Sequence, residues 1–312
     1  MARLLIVFNQ LNDYTARMIS TIRKPTLIDV TKLLFVGALW GGAFIFIALA
    51  LDDFGPVSIA SWRVSLGAAV MVVITILIGQ SFPRKQRDWR NILIVGCLNS
   101  AIPFFLISWG QQFISSAETA ILMAMGTFFA LIVSHFTSHD ERINMPRALG
   151  VGVGFIGVLV LVFWDISAAG MGSLVGQMAI IVAACSYATS SIVSRRLTHL
   201  PMISTSAATL LSASLYMIPL AFVLEDPLPA DVSRSSWLAL AYLGAVATAL
   251  AMTLRFFIIR ANGAVFMSMV GYLVPLFGVL WSALYFADDI NLQTLLALAL
   301  ILTGIALTRK GS

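Results

Sequence analysis

The sequence predicts an all-α membrane protein in which ten transmembrane helices form two inverted five-helix repeats around a central cavity. The first observation behind this prediction is composition: apolar residues make up 60% of the 312 residues, and charged residues only 11%. An ordinary soluble domain contains roughly 25% charged residues, and a soluble fold of this length has too little interior to bury so many apolar side chains. The second observation is the regular spacing of apolar runs, and the third is an internal duplication.

Apolar runs of about twenty residues, the length that crosses a hydrocarbon core, follow one another from Leu33 onward. Short turns separate them, and several contain typical turn residues, such as Phe54-Gly55-Pro56. Residues 1–32 are more basic, and their apolar run Leu4–Phe8 is too short for a signal-peptide core; we predict a cytoplasmic arm there. The ten predicted spans are residues 33–51, 57–79, 90–111, 116–137, 147–164, 172–194, 203–224, 236–258, 263–286 and 291–308.

The duplication is visible at an offset of 148 residues, which aligns residues 115–141 with residues 263–289. Each segment holds a long apolar run that ends in a pair of acidic residues, and this shared order is a stronger signal than the sparse identities. The aligned pairs include Trp89 with Trp237, Gly96 with Gly244, Ala101 with Ala249, Phe129 with Phe277, Ser134 with Ser282, and Asp140-Glu141 with Asp288-Asp289. The chain is therefore predicted to contain a first repeat, residues 33–164, and a second repeat, residues 172–308.

The distribution of lysine and arginine predicts the orientation in the membrane. If the N-terminus is cytoplasmic, nearly all of these residues fall on the cytoplasmic side, including Arg255 and Arg260 at the end of the eighth span, as the positive-inside rule requires. Only Arg234 lies in an outer loop, and only Arg63 lies within the outer half of a span. The outer turns are acidic instead. Both termini are therefore predicted to be cytoplasmic, and the net charge of +5 is explained without nucleic-acid binding.

An odd number of spans per repeat inserts the second repeat upside down relative to the first. Inverted repeats are typical of secondary transporters, in which the substrate site lies at the repeat interface near the membrane midplane. Exchanging the conformations of two similar halves converts a pocket open on one side into a pocket open on the other. A simple membrane anchor has no such requirement.

Three segments resemble the EamA-type domains of the drug/metabolite transporter superfamily. Residues 39–51 (LWGGAFIFIALAL) resemble the opening segment of these domains, residues 56–70 resemble their proline–arginine segment with Arg63 as the arginine, and residues 147–162 resemble their small-residue-rich closing segment. The resemblance covers residues 33–308 and is greatest to the YddG-like aromatic amino-acid exporters. It implies a bacterial inner-membrane exporter with ten helices and a central cavity. The second repeat lacks the tryptophan–glycine pair and the arginine, so the halves differ in chemistry.

Two charged residues are candidates for gating or charge pairing. Arg63 lies about 10 Å along its helix from Pro56, and an ionisable residue inside the membrane is a functional candidate by default. It snorkels outward or pairs with an outer acid such as Asp52 or Asp53, as part of an outer gate, or it holds a substrate carboxylate directly. Glu118 fits a capping box with Ser115 at the start of the fourth span; the alternative is a role in proton coupling or amine recognition.

Polar and aromatic residues at mid-membrane depth are the predicted substrate-binding residues. They are Trp40, Phe44, Asn99, Ser100, Pro103, Tyr187, Thr248 and Tyr272. Ser100 aligns with Thr248 in the second repeat, and Pro103, one turn beyond Asn99, frees a backbone carbonyl near the midplane. The alternative is that the asparagine joins helices and the aromatic rings pack in the core.

Several absences narrow the mechanism. The sequence contains no Walker A loop, so ATP is not the energy source, and the three histidines lie at helix ends, where they form no metal or nucleophile site. No cofactor and no metal are expected. An aromatic cavity with few charges suits small zwitterions with apolar side chains, so we expect a monomer in the lipid bilayer that exports aromatic or other apolar amino acids and related small metabolites by alternating access. The alternatives are an exporter of lipophilic drugs or dyes and, more remotely, an intramembrane enzyme or a non-transporting assembly protein.

Overall fold

A computed structural model describes residues 23–137, 144–169, 171–286 and 291–310, and all regular structure in these ranges is helical. The predicted all-α class is therefore confirmed for the described residues. Most of the predicted arm, residues 1–22, and both acidic pairs of the duplication, Asp140-Glu141 and Asp288-Asp289, lie outside these ranges.

The helices follow the predicted spans closely. We number them α1 Leu27–Ala50, α2 Pro56–Leu77, α3 Gln86–Gly110, α4 Ser116–Met123 with its continuation Met125–Thr137, α5 Met145–Ala169, α6 Met171–Ser194, α7 Met202–Leu224, α8 Arg234–Met267, α9 Val270–Phe286 and α10 Leu292–Lys310. Within the described residues, eight helices are long and apolar enough to cross a membrane, and two shorter apolar helices, Val270–Phe286 and Leu292–Thr308, follow them. The chain is therefore a multi-pass membrane protein.

Two boundaries differ from the prediction for local reasons. Helix α1 begins at Leu27 rather than Leu33, because Thr26 and Asp29 form a capping box that satisfies its first backbone N–H groups. Helix α8 is longer than its predicted span because the helix continues across a kink at Gly263, where φ is 87°. Glycine adopts this conformation without the steric cost that a Cβ atom would add. The ninth predicted span therefore begins within the last residues of α8.

Helices α3 and α8 each contain a π-helical segment at matching positions. The first covers Cys97–Ala101 and the second Tyr242–Leu250, so the offset of 148 residues places the first segment inside the second. Pro103 has no N–H to bond the carbonyl of Asn99, which favours the wider turn in α3. Helix α8 has no proline there; instead the Thr248 hydroxyl donates to the carbonyl of Leu243 at 2.7 Å.

Helices α1 and α8 are joined along their whole length and run antiparallel. At the face where the described chain begins, here called the N-terminal face, the Asn262 side chain donates to Asp29 at 3.3 Å. Halfway along, the indole of Trp40 donates to the carbonyl of Ala247 at 2.9 Å, within the π-helical segment. At the opposite face, the Ser236 hydroxyl donates to Asp53 at 2.7 Å. Contacts at both ends and in the middle make α1 and α8 one unit.

Helices α2 and α7 are likewise joined at both ends in antiparallel orientation. At the opposite face, Glu225 accepts hydrogen bonds from the backbone N–H groups of Val57 and Ser58 at 3.1 and 2.8 Å. Its negative charge also lies at the positive end of the α2 dipole. At the N-terminal face, the backbone N–H of Ser204 donates to the Gln80 side chain at 3.2 Å.

The remaining helices pack in pairs that repeat in the two halves. Helix α1 packs against α9, and α6 packs against α4; α2 packs against the π-helical part of α8, and α7 packs against α3. Helix α5 packs against α10. The two helices approach closely at their glycines, because a Cβ atom on Gly150 would lie 2.6 Å from the carbonyl oxygen of Gly304. These glycines join two helices of the same chain.

Asp53 should make the stability of the α1–α8 connection depend on pH. Hydrogen bonds from Ser233 and Ser236 lower the pKa of Asp53 from its ordinary value of 3.8. A carboxylate whose pKa is lowered by folding adds stability that is present above its unfolded pKa and is lost as the pH falls through its folded pKa. We therefore expect Asp53→Asn to lower the thermal unfolding temperature in detergent at pH 7, with a difference from wild type that shrinks below about pH 3.9. Asp52→Asn, at an exposed neighbour, is the matched control and should unfold like wild type.

Candidate functional site

Arg63 is the centre of the candidate site, deep between α2, α3, α6 and α8. Its side chain is 8% exposed, its Nε donates to the Thr248 hydroxyl at 3.2 Å, and its guanidinium carbon lies 3.9 Å from the centroid of the Phe104 ring. Tyr187 and Tyr242 lie within electrostatic range of the guanidinium. The ring of Phe104 and the two tyrosines form an aromatic surrounding that favours a cation.

The terminal nitrogens of Arg63 remain available to a ligand. Within the described residues, Arg63 donates a single hydrogen bond, to Thr248. Its terminal nitrogens bond none of these residues, and they are not fully enclosed, so they retain accessible surface. The Tyr187 hydroxyl likewise bonds no described residue and retains accessible surface. A guanidinium that is held at Nε and free at both terminal nitrogens presents the fork geometry that binds a carboxylate.

The expected pairing of Arg63 with Asp52 or Asp53 is wrong. Asp53 accepts its hydrogen bonds from Ser233 and Ser236, and Arg63 forms no ion pair with any acid in the described ranges. The physical reason is direction: the Arg63 side chain leaves α2 toward α3 and α8, where it meets Phe104 and Thr248.

Three of the predicted binding residues lie on the π-helical segments. Thr248 contacts Arg63 directly, and Ser100, its counterpart in α3, is fully buried with a hydroxyl oxygen that has no described partner. Asn99 is half-buried, and its amide is bonded to no residue in the parts of the chain that the structure describes. Pro103 is buried and immediately precedes Phe104, the ring against the guanidinium.

The predicted aromatic residues separate into two groups. Tyr187 joins the Arg63 group, and Trp40 lies at the same level, because its indole bonds the carbonyl of Ala247 next to Thr248. Phe44 is only 6% exposed and belongs to the largest packed cluster. Tyr272 packs against the edge of the same cluster. The structure therefore brings Tyr187 and Trp40 near Arg63 and Thr248, buries Phe44 within the cluster and packs half-buried Tyr272 against it.

Glu118 forms the predicted capping box. Its backbone N–H donates to the Ser115 hydroxyl at 3.2 Å, and its carboxylate accepts from the backbone N–H of Ser115 at 3.1 Å. This arrangement confirms the structural interpretation of Glu118 at the start of α4. No group of three histidine, cysteine or acidic side chains in the described ranges is placed to hold a metal ion.

Sequence analysis missed Phe104, Tyr242 and Arg255. Phe104 follows Pro103, and its position one residue beyond a predicted site residue was the available signal. Tyr242 begins the second π-helical segment, donates to the carbonyl of Leu39 at 3.0 Å and stacks on Phe46 at a centroid distance of 3.8 Å. Arg255 was counted among the cytoplasmic cations at the end of the eighth span, and it lies well within α8, which continues to Met267.

Packing is unequal between the two membrane faces. The largest cluster of buried residues joins the halves of α1, α3, α4, α8 and α9 that lie toward the opposite face. In α4, residues Ser116–Met123 are mostly buried, whereas most residues of Met125–Thr137 are only half-buried. Within α4, packing is therefore denser toward the opposite face than toward the N-terminal face.

A multi-pass helical bundle with a buried arginine among aromatic rings defines the class of the molecule, a helical integral membrane protein. Comparison with known proteins places this architecture in a family. The EamA-like transporter family matches residues 30–163 and 174–310, so the chain belongs to the EamA-like transporter family. The two matches are separate and consecutive.

Relatives match over nearly the whole chain. They include the uncharacterized transporter YoaV of Bacillus subtilis, 21% identical over 88% of this chain and 94% of its own. An uncharacterized transporter of Archaeoglobus fulgidus is 26% identical over 85% of this chain and 93% of its own, and the uncharacterized inner membrane transporter YedA of Escherichia coli is 21% identical over 88% of each chain. A crystal structure with 20% sequence identity matches with a TM-score of 0.65, covering 88% of this chain and 94% of its own, and supports the fold.

Proposed function

We propose that this protein exports small apolar metabolites that carry a carboxylate, foremost aromatic and other apolar amino acids, by alternating access across the bacterial inner membrane. The observation that carries the proposal is Arg63: a cation in the bilayer whose terminal nitrogens bond no described residue while Nε is fixed by Thr248. Burying a charge without a partner is costly. A transported carboxylate would supply the missing partner, and Phe104 and Tyr187 would contact its apolar side chain.

The inverted-repeat arrangement is part of this proposal. If residues 33–164 and 172–308 are repeats, α2 and α7 are equivalent helices. They run antiparallel, since Glu225 caps the start of α2 and Gln80 bonds the start of α7. The paired packing of α1 with α9 and of α6 with α4, and the matching π-helical segments, support the same relation. Ten spans and a cavity between the repeats follow.

The excess of lysine and arginine on the N-terminal face supports a cytoplasmic location for both ends of the chain. In this orientation, the dense packing lies toward the outside, and the half-buried residues of α4 and α6 lie toward the cytoplasm. This is the arrangement of an exporter that is closed outside and ready to accept substrate from inside. Because titratable groups are few within the spans, facilitated diffusion is favoured over proton antiport.

The function can be tested with purified protein in liposomes that contain labelled phenylalanine, tryptophan or threonine. We expect saturable flux that unlabelled phenylalanine inhibits at least about ten times better than phenylalaninamide, because loss of one charge-assisted hydrogen-bonding group costs about 1.5–3 kcal/mol. Flux should not require a proton gradient. Equal inhibition by the amide would contradict carboxylate recognition, and absence of flux for every amino acid would refute the proposed substrate class.

A second candidate function is export of lipophilic drugs or dyes. The site around Arg63 favours cationic aromatic compounds less than anionic ones, because the guanidinium beside the Phe104 ring repels a cation. Efflux of a cationic dye from the same liposomes, without flux of any amino acid, would select this alternative.

A further inference from the structure

A second arginine lies inside α8, closer to the N-terminal face than Arg63. Arg255 is seven residues before Asn262, which is about 10 Å along the helix. Arg63 is at a similar depth from the other end of its own helix. Thr248, the partner of Arg63, lies seven residues before Arg255 on the same helix, about 10 Å further from the N-terminal face.

Arg255 faces the interior of the protein. In an α-helix every seventh residue returns to nearly the same face, so Thr248, Arg255 and Asn262 share one face of α8. Thr248 contacts Arg63 of α2, and Asn262 contacts Asp29 of α1. The outward face is marked by Leu250 and Phe257, which are 40% and 43% exposed and lie nearly opposite Arg255 at about 100° per residue.

The interior face of α8 is buried above and below Arg255 but open at Arg255 itself. Thr248 is 1% exposed and Asn262 is 6% exposed, whereas Arg255 is exposed. Arg255 forms no hydrogen bond or ion pair with the described residues. An accessible cation on an inward face, two helical turns from the end of the span, leaves room for water or a ligand at this depth between the helices.

We propose that Arg255 is the first binding site for the substrate carboxylate, in a water-filled vestibule that leads from the N-terminal face to Arg63. This inference rests on the proposed function and names a further residue of the same pathway. An arginine exposed to water attracts an anion and holds it weakly, because solvent screens the interaction. Arg63, about 10 Å deeper by the position of Thr248, holds the carboxylate more tightly because little water competes there. The two cations thus order the substrate's path.

A role in topology alone does not account for the position of Arg255. The positive-inside rule acts on lysine and arginine in loops and near helix ends, and Arg260, one turn and a half further along, already satisfies it. Arg260 also has an aromatic contact, with its guanidinium carbon 6.0 Å from the Phe256 ring centroid. A cation needed only for orientation would be less costly at the level of Arg260 than at the level of Arg255.

Flux measurements test the binding role. We expect Arg255→Gln to raise the KM for phenylalanine about two- to fivefold with little change in maximal flux, since the contact that is lost is screened by solvent. Arg255→Lys should recover most of the affinity because the charge remains. Arg260→Gln is the matched control and should transport like wild type. If the wild type transports phenylalanine and Arg255→Gln has an unchanged KM, the inference is wrong while the proposed function stands.

Cysteine labelling tests the vestibule without relying on transport. In a variant whose two native cysteines, Cys97 and Cys185, are replaced by alanine, we expect Arg255→Cys to react with a charged thiol reagent that does not cross membranes. Phe257→Cys, two residues away on the lipid face, should react at least about ten times more slowly, because a thiolate does not form in hydrocarbon. Equal and slow reaction of both variants would exclude a water-filled space at Arg255. This assay also works on variants that lack flux, so failure of the proposed vestibule can be distinguished from failure of the proposed transport function.

Discussion

Arg63→Gln should abolish most carboxylate-dependent flux while leaving the protein folded. Glutamine can still donate to the Thr248 hydroxyl, but it has no positive charge and cannot form the forked contact of a guanidinium. Loss of a charge-assisted hydrogen bond costs about 1.5–3 kcal/mol, and loss of a forked pair more, so phenylalanine flux at low concentration should fall by about 30-fold or more. The unfolding temperature in detergent should stay at or above that of wild type, because an unpaired buried charge is removed.

Two companion variants separate charge from geometry at Arg63. Arg63→Lys keeps the charge as a point ammonium, so we expect intermediate flux and weaker discrimination between phenylalanine and phenylalaninamide. Thr248→Val keeps the shape of Thr248 but removes the hydroxyl that accepts from Nε at 3.2 Å; it should lower flux less than Arg63→Gln. Wild-type flux in Arg63→Gln would show that the arginine is structural and that the substrate binds elsewhere.

The class of the fold could be predicted from composition and span length because both reflect the solvent, a hydrocarbon layer of nearly constant thickness. Helix bounds such as Ser116–Thr137 were close to the prediction for the same reason. The extension of α1 to Leu27 was missed because it depends on one capping side chain, Asp29, whose partner Asn262 lies 233 residues away in sequence.

The depth of a residue in the membrane can be predicted from a sequence, but the direction in which its side chain points cannot. The site was therefore only partly predictable. Arg63, Tyr187 and Thr248 were selected by depth, and the structure brings them together. Phe44 has a similar depth but points into the packed cluster. The partner of Arg63 was wrongly expected to be a nearby acid, since Thr248 is 185 residues away and belongs to the other predicted repeat. The partner of Arg63 is therefore determined by a contact between the two predicted repeats.

The contact between α5 and α10 should be the most sensitive packing interface of the described structure. A Cβ atom on Gly150 would lie 2.6 Å from the carbonyl oxygen of Gly304 and 2.7 Å from the backbone nitrogen of Thr308. Both atoms belong to the backbone of α10, so a rotamer change cannot relieve the overlap, and the helices must separate. We expect Gly150→Ala to destabilise the protein by about 1–3 kcal/mol, the usual cost of overpacking.

Gly152→Ala is the matched control on the same helix. A Cβ atom at Gly152 meets no atom within 4 Å, and alanine is favoured over glycine in a helix by about 1 kcal/mol. The control should therefore unfold at the same temperature as wild type or higher, while Gly150→Ala unfolds at a lower temperature and accumulates less in membranes. Association between helices in lipid depends on close packing rather than on the hydrophobic effect, which is why one added methyl group is expected to lower the stability of the protein. Equal unfolding temperatures for the two variants would mean that α5 and α10 do not approach as closely as the Gly150–Gly304 contact requires.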